Sequence, residues 1–221
     1  MNTAGSNLKT PRRKRGDPAY LHPVPVRIWH WLNALGFLIL ILTGLQVRYI
    51  DLFSLMTFES AVQWHNWVGF VVIVNWFLWF FYYLTSPRIT NYQPDLDPAK
   101  FFRRYIRQVE YYSYGIFVGE KRPHDVRPHD KFNPMQKLTY QFVMFITAPI
   151  TFLTGLMMWD VERFQGLIDL FGGLRIVNTV HMVMCILFVF FITVHAYMGF
   201  LGAKPITHYR EMFTGWEEPH D

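Results

Sequence analysis

The sequence predicts an all-α integral membrane protein, a four-transmembrane-helix bundle with both termini in the cytoplasm. The chain of 221 residues is 52% hydrophobic and 19% aromatic, with only 17% charged residues. Its four apolar segments are each long enough to cross a bilayer core of about 30 Å. Basic residues are concentrated in the N-terminal tail and in one of the connections, which predicts the orientation of the bundle.

The expected organisation is a basic cytoplasmic tail (1–24), a four-helix membrane domain (25–203) and a second cytoplasmic tail (204–221). The spans are expected at about 26–49, 62–84, 134–159 and 175–202, with a cytoplasmic loop at 85–133. They leave little room for a separate soluble domain, so we expect one four-helix bundle.

The first span follows the basic run Arg12–Arg15, an arrangement that also occurs in signal peptides. The apolar stretch is too long for a signal-peptide core and contains Arg27, His30 and Asn33. It is not followed by a small-x-small cleavage site, so we expect it to be retained as a transmembrane helix.

The connection between the second and third spans predicts an amphipathic helix at about residues 97–117, capped by Asp97. This helix lies either at the membrane interface or in solvent. Asn133 and Pro134 are expected to cap and begin the third span. Pro149 is expected to kink that span within the membrane.

The charge distribution predicts which side of the membrane each connection occupies. The N-terminal tail and the long loop are basic, whereas the other two connections are short and mostly acidic, with Asp51 and Glu59 in one and Asp160 and Asp169 in the other. By the positive-inside rule, both termini and the long loop are cytoplasmic. This bias accounts for the net charge of +5, so no nucleic-acid partner is expected.

Two histidines of the fourth span, His181 and His195, are fourteen residues apart, which is close to four helical turns. Their side chains therefore leave one face of the helix about 21 Å apart along its axis. Ionisable side chains inside a membrane are usually functional. In the predicted orientation, His30 and His195 lie near the cytoplasmic face, and His65 and His181 lie near the outer face.

Histidines paired at two depths predict two b-type haems, because each haem iron takes two trans-axial imidazoles in a six-coordinate electron-transfer site. The expected iron ligands are His30 and His195 for the inner haem, and His65 and His181 for the outer haem. The single cysteine, Cys185, excludes intrachain disulfides and cysteine-bound zinc or iron–sulfur clusters. No C-x-x-C-H motif occurs, so the haems are expected to be held non-covalently.

Small and basic residues add to this interpretation. Gly44 lies fourteen residues after His30, and its missing side chain is expected to let the outer macrocycle pack against the first helix. Arg27 at the inner level, and Arg48 and Arg175 at the outer level, are candidate partners of haem propionates. The alternative is that these arginines are interfacial anchors.

Several motifs resemble the four-helix di-haem cytochrome b superfamily, which includes the membrane subunits of nickel–iron hydrogenases, formate dehydrogenases and thiosulfate reductases. The resemblance rests on Arg27-Ile28-Trp29-His30-Trp31, on His65-Asn66-Trp67-Val68-Gly69 and on the His181/His195 pair, and it covers about Val24 to Gly202. Residues 132–140 are similar to the motif that leads into the third helix of the formate dehydrogenase and thiosulfate reductase branches, which favours those two over hydrogenase.

The resemblance implies a quinone site at the cytoplasmic side. In the formate dehydrogenase branch, an asparagine and the inner-haem histidine that correspond to Asn133 and His195 approach a quinone. Met135 stands where that branch often has glycine. Gln136 and Lys137 are the next polar candidates, and helix-end polarity is an equally good account of Lys137.

The expected function is that of a di-haem cytochrome b membrane subunit of a respiratory oxidoreductase complex in the bacterial or archaeal cytoplasmic (inner) membrane. An iron–sulfur subunit and a catalytic subunit on the outer face would exchange electrons with the outer haem, and the inner haem would react with menaquinone or ubiquinone. The chain itself would hold no substrate site beyond the quinone, and its remaining surface would contact membrane lipids.

Three other functions are compatible with parts of the sequence. A stand-alone superoxide oxidase of the same fold would need a cationic outer surface, whereas the outer connections are acidic. A transporter or proton channel would be expected to show inverted repeats or broken helices. A haem-free membrane anchor would leave the four histidines unexplained.

Overall fold

The computed structural model describes residues 19–86, 97–124, 131–201 and 206–217. In this part of the chain the elements are β1 (Ala19–Tyr20), α1 (Val24–Arg48), α2 (Phe58–Leu84), α3 (Pro98–Ser113), a 3₁₀ turn (Gly115–Val118), α4 (Pro134–Phe142), a π-helical turn (Val143–Thr147), α5 (Ala148–Trp159), α6 (Gln165–Leu170), α7 (Leu174–Gly199), α8 (Thr207–Thr214) and β2 (Trp216–Glu217). The remaining parts of the two expected tails and of the expected cytoplasmic loop lie outside the described residues.

Within the described residues, four helical segments are long and apolar enough to cross a membrane: α1, α2, the composite third span Pro134–Trp159, and α7. The predicted all-α membrane fold with four spans is thereby confirmed. Large apolar side chains cover the outside of the bundle, and Leu78 and Phe190 are 64% and 69% exposed. Such a surface suits the acyl chains of lipids, in which helices are stable because their backbone hydrogen bonds are internal.

A buried glutamine fixes the turn between α1 and α2. Gln46 is fully buried, and its side-chain nitrogen donates to the carbonyl of Met56. Its side-chain oxygen accepts from the backbone N–H groups of Leu55 at 3.0 Å and Met56 at 3.3 Å. Thr57 then caps α2 by accepting from the N–H of Ser60. The two helices therefore form one tight hairpin.

The third span changes its hydrogen-bond pattern close to Pro149, where the sequence predicts a kink. Val143–Thr147 is a π-helical turn, in which each carbonyl bonds to the N–H five residues later. In that pattern the carbonyl of Met144 would bond to the nitrogen of Pro149, which carries no hydrogen. Trp76 of α2 donates to this carbonyl instead, at 3.0 Å. A neighbouring helix thus satisfies the group that the proline leaves without a donor.

The N- and C-terminal ends of the described chain meet at one end of the bundle. Tyr20 pairs with Trp216 in a two-residue antiparallel bridge that the sequence does not predict. α8 packs beside α1 and α7, since Trp31 donates to the carbonyl of Met212 at 3.1 Å and Tyr209 donates to the carbonyl of Ala196 at 2.7 Å. Trp31 also stacks on Phe213. Both ends of the described part of the chain therefore lie on the side of the bundle that carries His30 and His195.

The helix predicted at about residues 97–117 is present as α3, and Asp97 caps it by accepting from the N–H groups of Ala99 and Lys100. Its buried residues are Gln108 and Tyr111, and it packs against α4. Phe102 is 64% exposed on its outer side. The helix therefore covers the beginning of the third span.

Candidate functional site

The structure brings the four transmembrane histidines together in the two predicted pairs. The ring centroids of His30 and His195 lie 6.0 Å apart, and those of His65 and His181 lie 6.3 Å apart. A metal–imidazole bond of about 2 Å on each side of one iron atom places the centroids of two trans rings about 6 Å apart. The spacing of both pairs therefore fits a six-coordinate haem iron.

Thr43 of α1 contacts the imidazole of His65 across the first hairpin. The threonine oxygen lies 3.0 Å from Nδ1 of His65 and 2.7 Å from the backbone carbonyl of Ile39. A carbonyl only accepts, so the single hydroxyl hydrogen is donated to Ile39. The hydroxyl oxygen can then accept the Nδ1 hydrogen of His65, whose imidazole is also bonded to the backbone carbonyl of Leu40. A hydrogen on Nδ1 leaves Nε2 of that ring unprotonated and able to bind a metal.

Thr154 of α5 repeats this arrangement at His181 of α7. Its oxygen lies 3.0 Å from Nδ1 of His181 and 2.7 Å from the carbonyl of Ile150. The same argument places the proton of His181 on Nδ1 and leaves its Nε2 free for iron. Sequence analysis did not identify either threonine. The available signal was that each one directly precedes a glycine at the level of the outer pair.

The glycines after these threonines face imidazoles. A Cβ added to Gly44 would lie 3.2 Å from Cε1 of His65, and one added to Gly155 would lie 3.3 Å from Cε1 of His181. The sequence predicted open space at Gly44 for the macrocycle, whereas the structure shows that this space is taken up by the ring of His65. Both glycines therefore allow close approach of a histidine-bearing helix.

The inner pair has a different environment. Nδ1 of His30 is buried and has no hydrogen-bond partner among the described residues. His195 is exposed, and its ring stacks on Phe191 with the centroids 5.6 Å apart. The edge of the Trp31 ring packs against His30. The two histidine pairs are thus alike in spacing and unlike in hydrogen bonding.

Two phenylalanines lie between the inner and outer pairs. Phe37 is seven residues from both His30 and Gly44, and Phe188 is seven residues from both His181 and His195. Their ring centroids lie 4.6 Å apart, and Phe188 is buried. The space between the two levels is therefore filled by aromatic side chains. Sequence analysis did not single out either residue.

Basic groups gather at the inner end of the bundle. Arg27 donates to the carbonyl of Phe213, and its Nε is buried without a partner among the described residues. Burial, followed by the charges of Lys131, His30, His208 and Arg27, lowers the pKa of His22 to about 3. His22 is therefore neutral near pH 7. The positive potential around it would favour the binding of an anionic group such as a propionate.

The other two candidate propionate partners lie at the opposite end. Arg48 is exposed in the last turn of α1, where it lies over the ring of Tyr49 at 5.8 Å from the centroid. Arg175 is exposed in the first turn of α7. Neither position distinguishes a haem partner from an interfacial anchor.

The candidate quinone residues Asn133 and Gln136 form a capping box at the start of α4. The side-chain oxygen of Asn133 accepts from the N–H of Gln136 at 2.9 Å, and the side chain of Gln136 accepts from the N–H of Asn133 at 3.0 Å. Asn133 and Lys137 are buried, whereas Gln136 is exposed. No hydrogen bond joins His195 to Asn133 or Gln136 in the described part of the chain.

Tyr112 of α3 joins this polar group. The amide nitrogen of Asn133 donates to its hydroxyl oxygen at 3.2 Å. Burial raises the pKa of Tyr112, against the opposing charge of Arg122. Tyr112 therefore stays a neutral phenol near pH 7 and keeps a hydroxyl hydrogen for donation. Sequence analysis assigned this residue no role.

Four apolar spans that hold two pairs of facing histidines define a membrane cytochrome of the b type. Comparison with known families agrees: residues 21–215 match the family model described as prokaryotic cytochrome b561, and the chain belongs to that family. It is a multi-pass membrane protein of electron transport with b-type haem.

Individual relatives are distant in sequence but match most of the chain. An Escherichia coli protein named as cytochrome YdhU is 28% identical over 211 residues, which cover 95% of this chain and 78% of that protein. A protein of Azospira oryzae, named as subunit YedZ1 of a protein-methionine-sulfoxide reductase, is 24% identical over 188 residues, 80% of this chain and 89% of the relative. No solved structure matches this chain.

A third relative is named for a hydrogenase. It is a protein of Cupriavidus necator, named as the B-type cytochrome subunit of a nickel–iron hydrogenase. It is 24% identical over 192 residues, which cover 80% of this chain and 77% of that protein. These names place the chain among cytochrome b membrane subunits.

Proposed function

We propose that this chain is the di-haem cytochrome b subunit of a respiratory oxidoreductase complex. It carries electrons across the bacterial or archaeal cytoplasmic membrane, between an external catalytic partner and the quinone pool. The observation that carries the proposal is the pairing of four histidines at two levels, with ring centroids 6.0 Å and 6.3 Å apart.

The proposed ligands are His30 and His195 for the inner haem, and His65 and His181 for the outer haem. Each haem, when bound, supplies a one-electron carrier. The two levels are separated by fourteen residues of α7, or about 21 Å. Phe37 and Phe188 contact each other between the two levels, with ring centroids 4.6 Å apart.

Three arginines are proposed as partners of the propionates, Arg27 at the inner level and Arg48 and Arg175 at the outer level. Arg27 is supported best, because its Nε is a buried donor without a partner in the described residues. Its other guanidinium contact, to the carbonyl of Phe213, fixes the side chain at the inner end of the bundle.

The proposed orientation places the inner pair at the cytoplasmic side, with the tails 1–24 and 204–221 flanking a membrane domain at 25–203. Both ends of the described chain meet beside His30 and His195, so they share one side of the membrane. The connection that contains α3 is basic and lies on the same side, whereas the two connections at the other end are mostly acidic. Positive charge is retained in the cytoplasm.

The quinone, menaquinone or ubiquinone, is proposed to react at the cytoplasmic side beside Asn133, Gln136, Lys137 and His195. Reduction of a quinone to its quinol takes up two electrons and two protons, so the reaction needs polar groups that are close to water. Tyr112 and Asn133 provide a hydroxyl and an amide at this boundary. The same residues would serve quinol oxidation if electrons flow outward.

The proposed partners are an iron–sulfur subunit and a catalytic subunit of formate dehydrogenase, thiosulfate reductase or hydrogenase type, docked on the outer face. The name of the Cupriavidus necator relative supports such an assembly. An electron that moves inward works against the membrane potential by about 2.3 kcal/mol per 100 mV. The redox difference between donor and quinone would supply this energy.

The first test is a dithionite-reduced minus air-oxidised visible spectrum of the purified protein, with pyridine haemochrome quantification. We expect two low-spin b-type haems per chain. If the folded protein holds one haem, one of the two proposed ligand pairs is wrong. If it holds no haem, the proposal is overturned.

Alanine variants assign the two haems. His65→Ala and His181→Ala should remove the same haem, and His30→Ala and His195→Ala should remove the other. A matched control is His124→Ala, since His124 lies outside the spans and contacts Arg104. This variant should keep both haems. Loss of the same haem from His30→Ala and His65→Ala would contradict the pairing.

A further inference from the structure

We propose that Thr43 and Thr154 are positioning residues of the outer haem, which accept the Nδ1 hydrogens of its two axial histidines and hold its reduction potential below the value it would otherwise have. The inference rests on the proposed ligation by His65 and His181. Neither the spacing of the histidines nor the match to the family gives these two threonines a role.

Each hydroxyl is fixed as an acceptor toward the histidine. The backbone carbonyls of Ile39 and Ile150 lie 2.7 Å from the two threonine oxygens and take the hydroxyl hydrogens. A hydroxyl that donates to one group is a better acceptor for another, because hydrogen bonds in a chain polarise one another. Both histidines therefore keep their hydrogen on Nδ1, which leaves Nε2 unprotonated for the proposed iron.

The contact with histidine distinguishes these threonines from others in the spans. Thr151 and Thr193 also donate to the carbonyl four residues earlier, at 2.7 Å and 2.8 Å, as threonines in helices commonly do. The side chain of neither threonine contacts a histidine in the described structure, although the backbone carbonyl of Thr151 is bonded to the ring of His181. Thr43 and Thr154 are buried, and each is followed by the glycine on which the imidazole rests.

The two arrangements correspond closely around the outer pair. Both threonine–imidazole distances are 3.0 Å, and both glycine Cβ positions lie 3.2 to 3.3 Å from Cε1 of the ring. The sequence around each threonine is also the same, Leu-Thr-Gly-Leu at residues 42–45 and at 153–156. Two separate hairpins thus present one local structure to the two faces of one haem.

The chemical consequence follows from the direction of the hydrogen bond. Donation from Nδ1 increases the electron density of the ring and makes Nε2 a more basic ligand. A more basic axial ligand stabilises the ferric state, which lowers the reduction potential. His30 of the inner pair has no such acceptor among the described residues. The structure therefore makes the two haems chemically unequal.

The experiment is a potentiometric titration of the purified cytochrome, read by visible and electron paramagnetic resonance spectra, for Thr43→Val and Thr154→Val. Valine keeps the shape and removes the acceptor. We expect the outer haem to become easier to reduce by up to about tenfold in its ferric–ferrous equilibrium, or 59 mV for a one-electron couple. The inner haem should keep its potential.

The matched controls are Thr151→Val and Thr43→Ser. Thr151→Val removes a hydroxyl from the same helix as Thr154 and should leave both potentials unchanged. Thr43→Ser restores the acceptor and should restore the wild-type potential and resonance spectrum. If Thr43→Val loses the outer haem altogether while Thr43→Ser keeps it, the positioning role is also supported.

Unshifted potentials in both valine variants would overturn the inference, as would a shift equal to that of Thr151→Val. This failure is distinguishable from failure of the proposed function. If His65→Ala removes one haem and Thr43→Val changes nothing, the ligation stands and the threonine role is wrong. If His65→Ala keeps two haems, the ligation itself is wrong.

Discussion

Gly44 and Gly155 determine how closely the histidine-bearing helices approach their neighbours. Because glycine has no Cβ, the imidazoles of His65 and His181 can contact the backbone of the facing helix. A Cβ at either position would lie within 3.3 Å of a ring carbon, closer than side chains normally pack. A ring held by the proposed haem iron on one side and by a threonine on the other would have little freedom to move away.

Gly44→Ala is therefore expected to lower the occupancy of the outer haem several-fold and to leave the inner haem in place, and Gly155→Ala should do the same. The haem-to-protein ratio and the reduced spectrum measure both effects. The control is Gly69→Ala, because a Cβ there would meet only Leu40, at 4.0 Å. Full outer-haem occupancy in Gly44→Ala would show that the ring of His65 can shift without cost.

Among the helices, α4 begins at a residue that has two roles, a helix cap and a link to a neighbouring helix. Asn133 closes the capping box with Gln136 and donates to Tyr112, so it links α4 to α3. Loss of an N-cap side chain typically costs about 1 kcal/mol. Any change at Asn133 therefore affects both the stability of the third span and the proposed quinone site.

Two substitutions separate these roles. Serine caps a helix about as well as asparagine does, but it is too short to reach Tyr112. Asn133→Ser should keep the melting temperature and lower the rate of haem reduction by a soluble quinol such as duroquinol, whereas Asn133→Ala should lower both. A wild-type rate in Asn133→Ser would mean that Asn133 serves as a cap alone.

For the whole molecule, the bundle has a chemically distinct surface at each end. The inner end carries α3, α8 and the β1–β2 bridge, and the outer end carries the two short connections and α6. Ser54 is exposed in one of those connections, and Ser113 is exposed at the end of α3. These two serines therefore report the two sides of the membrane.

In a Cys185→Ser background, Ser54→Cys should react with a membrane-impermeant thiol reagent in intact cells. Ser113→Cys should react only in inverted membrane vesicles. This result follows from the positive-inside rule, because the loop that contains α3 is the basic one. The reverse pattern of labelling would place the proposed quinone site on the outer side.

The histidine pairing was predictable from the sequence because it depends on two regular quantities, the helical repeat and the alternation of direction between successive spans. Asn133 and Asp97 were predictable as caps because capping is local. Thr43 and Thr154 were not, since a threonine in a membrane helix commonly bonds to its own backbone, and only the packing of two helices brings these two to a histidine. The hydrogen bond from Trp76 to the carbonyl of Met144 was not predictable for the same reason.

The packing of the spans has a consequence for assembly. The backbones of α1 and α2 pack closely, as do those of α5 and α7, whereas the two hairpins meet mainly through side chains of a shared core such as Trp79 and Phe188. The first hairpin contributes His30 and His65, and the second contributes His181 and His195, so each proposed haem takes one ligand from each hairpin. Haem would then add a cross-link between the two hairpins, and a ligand that binds only the assembled bundle stabilises it by a free energy that rises with the logarithm of the ligand concentration. Loading with haem would thus strengthen the cohesion of the bundle before any partner docks.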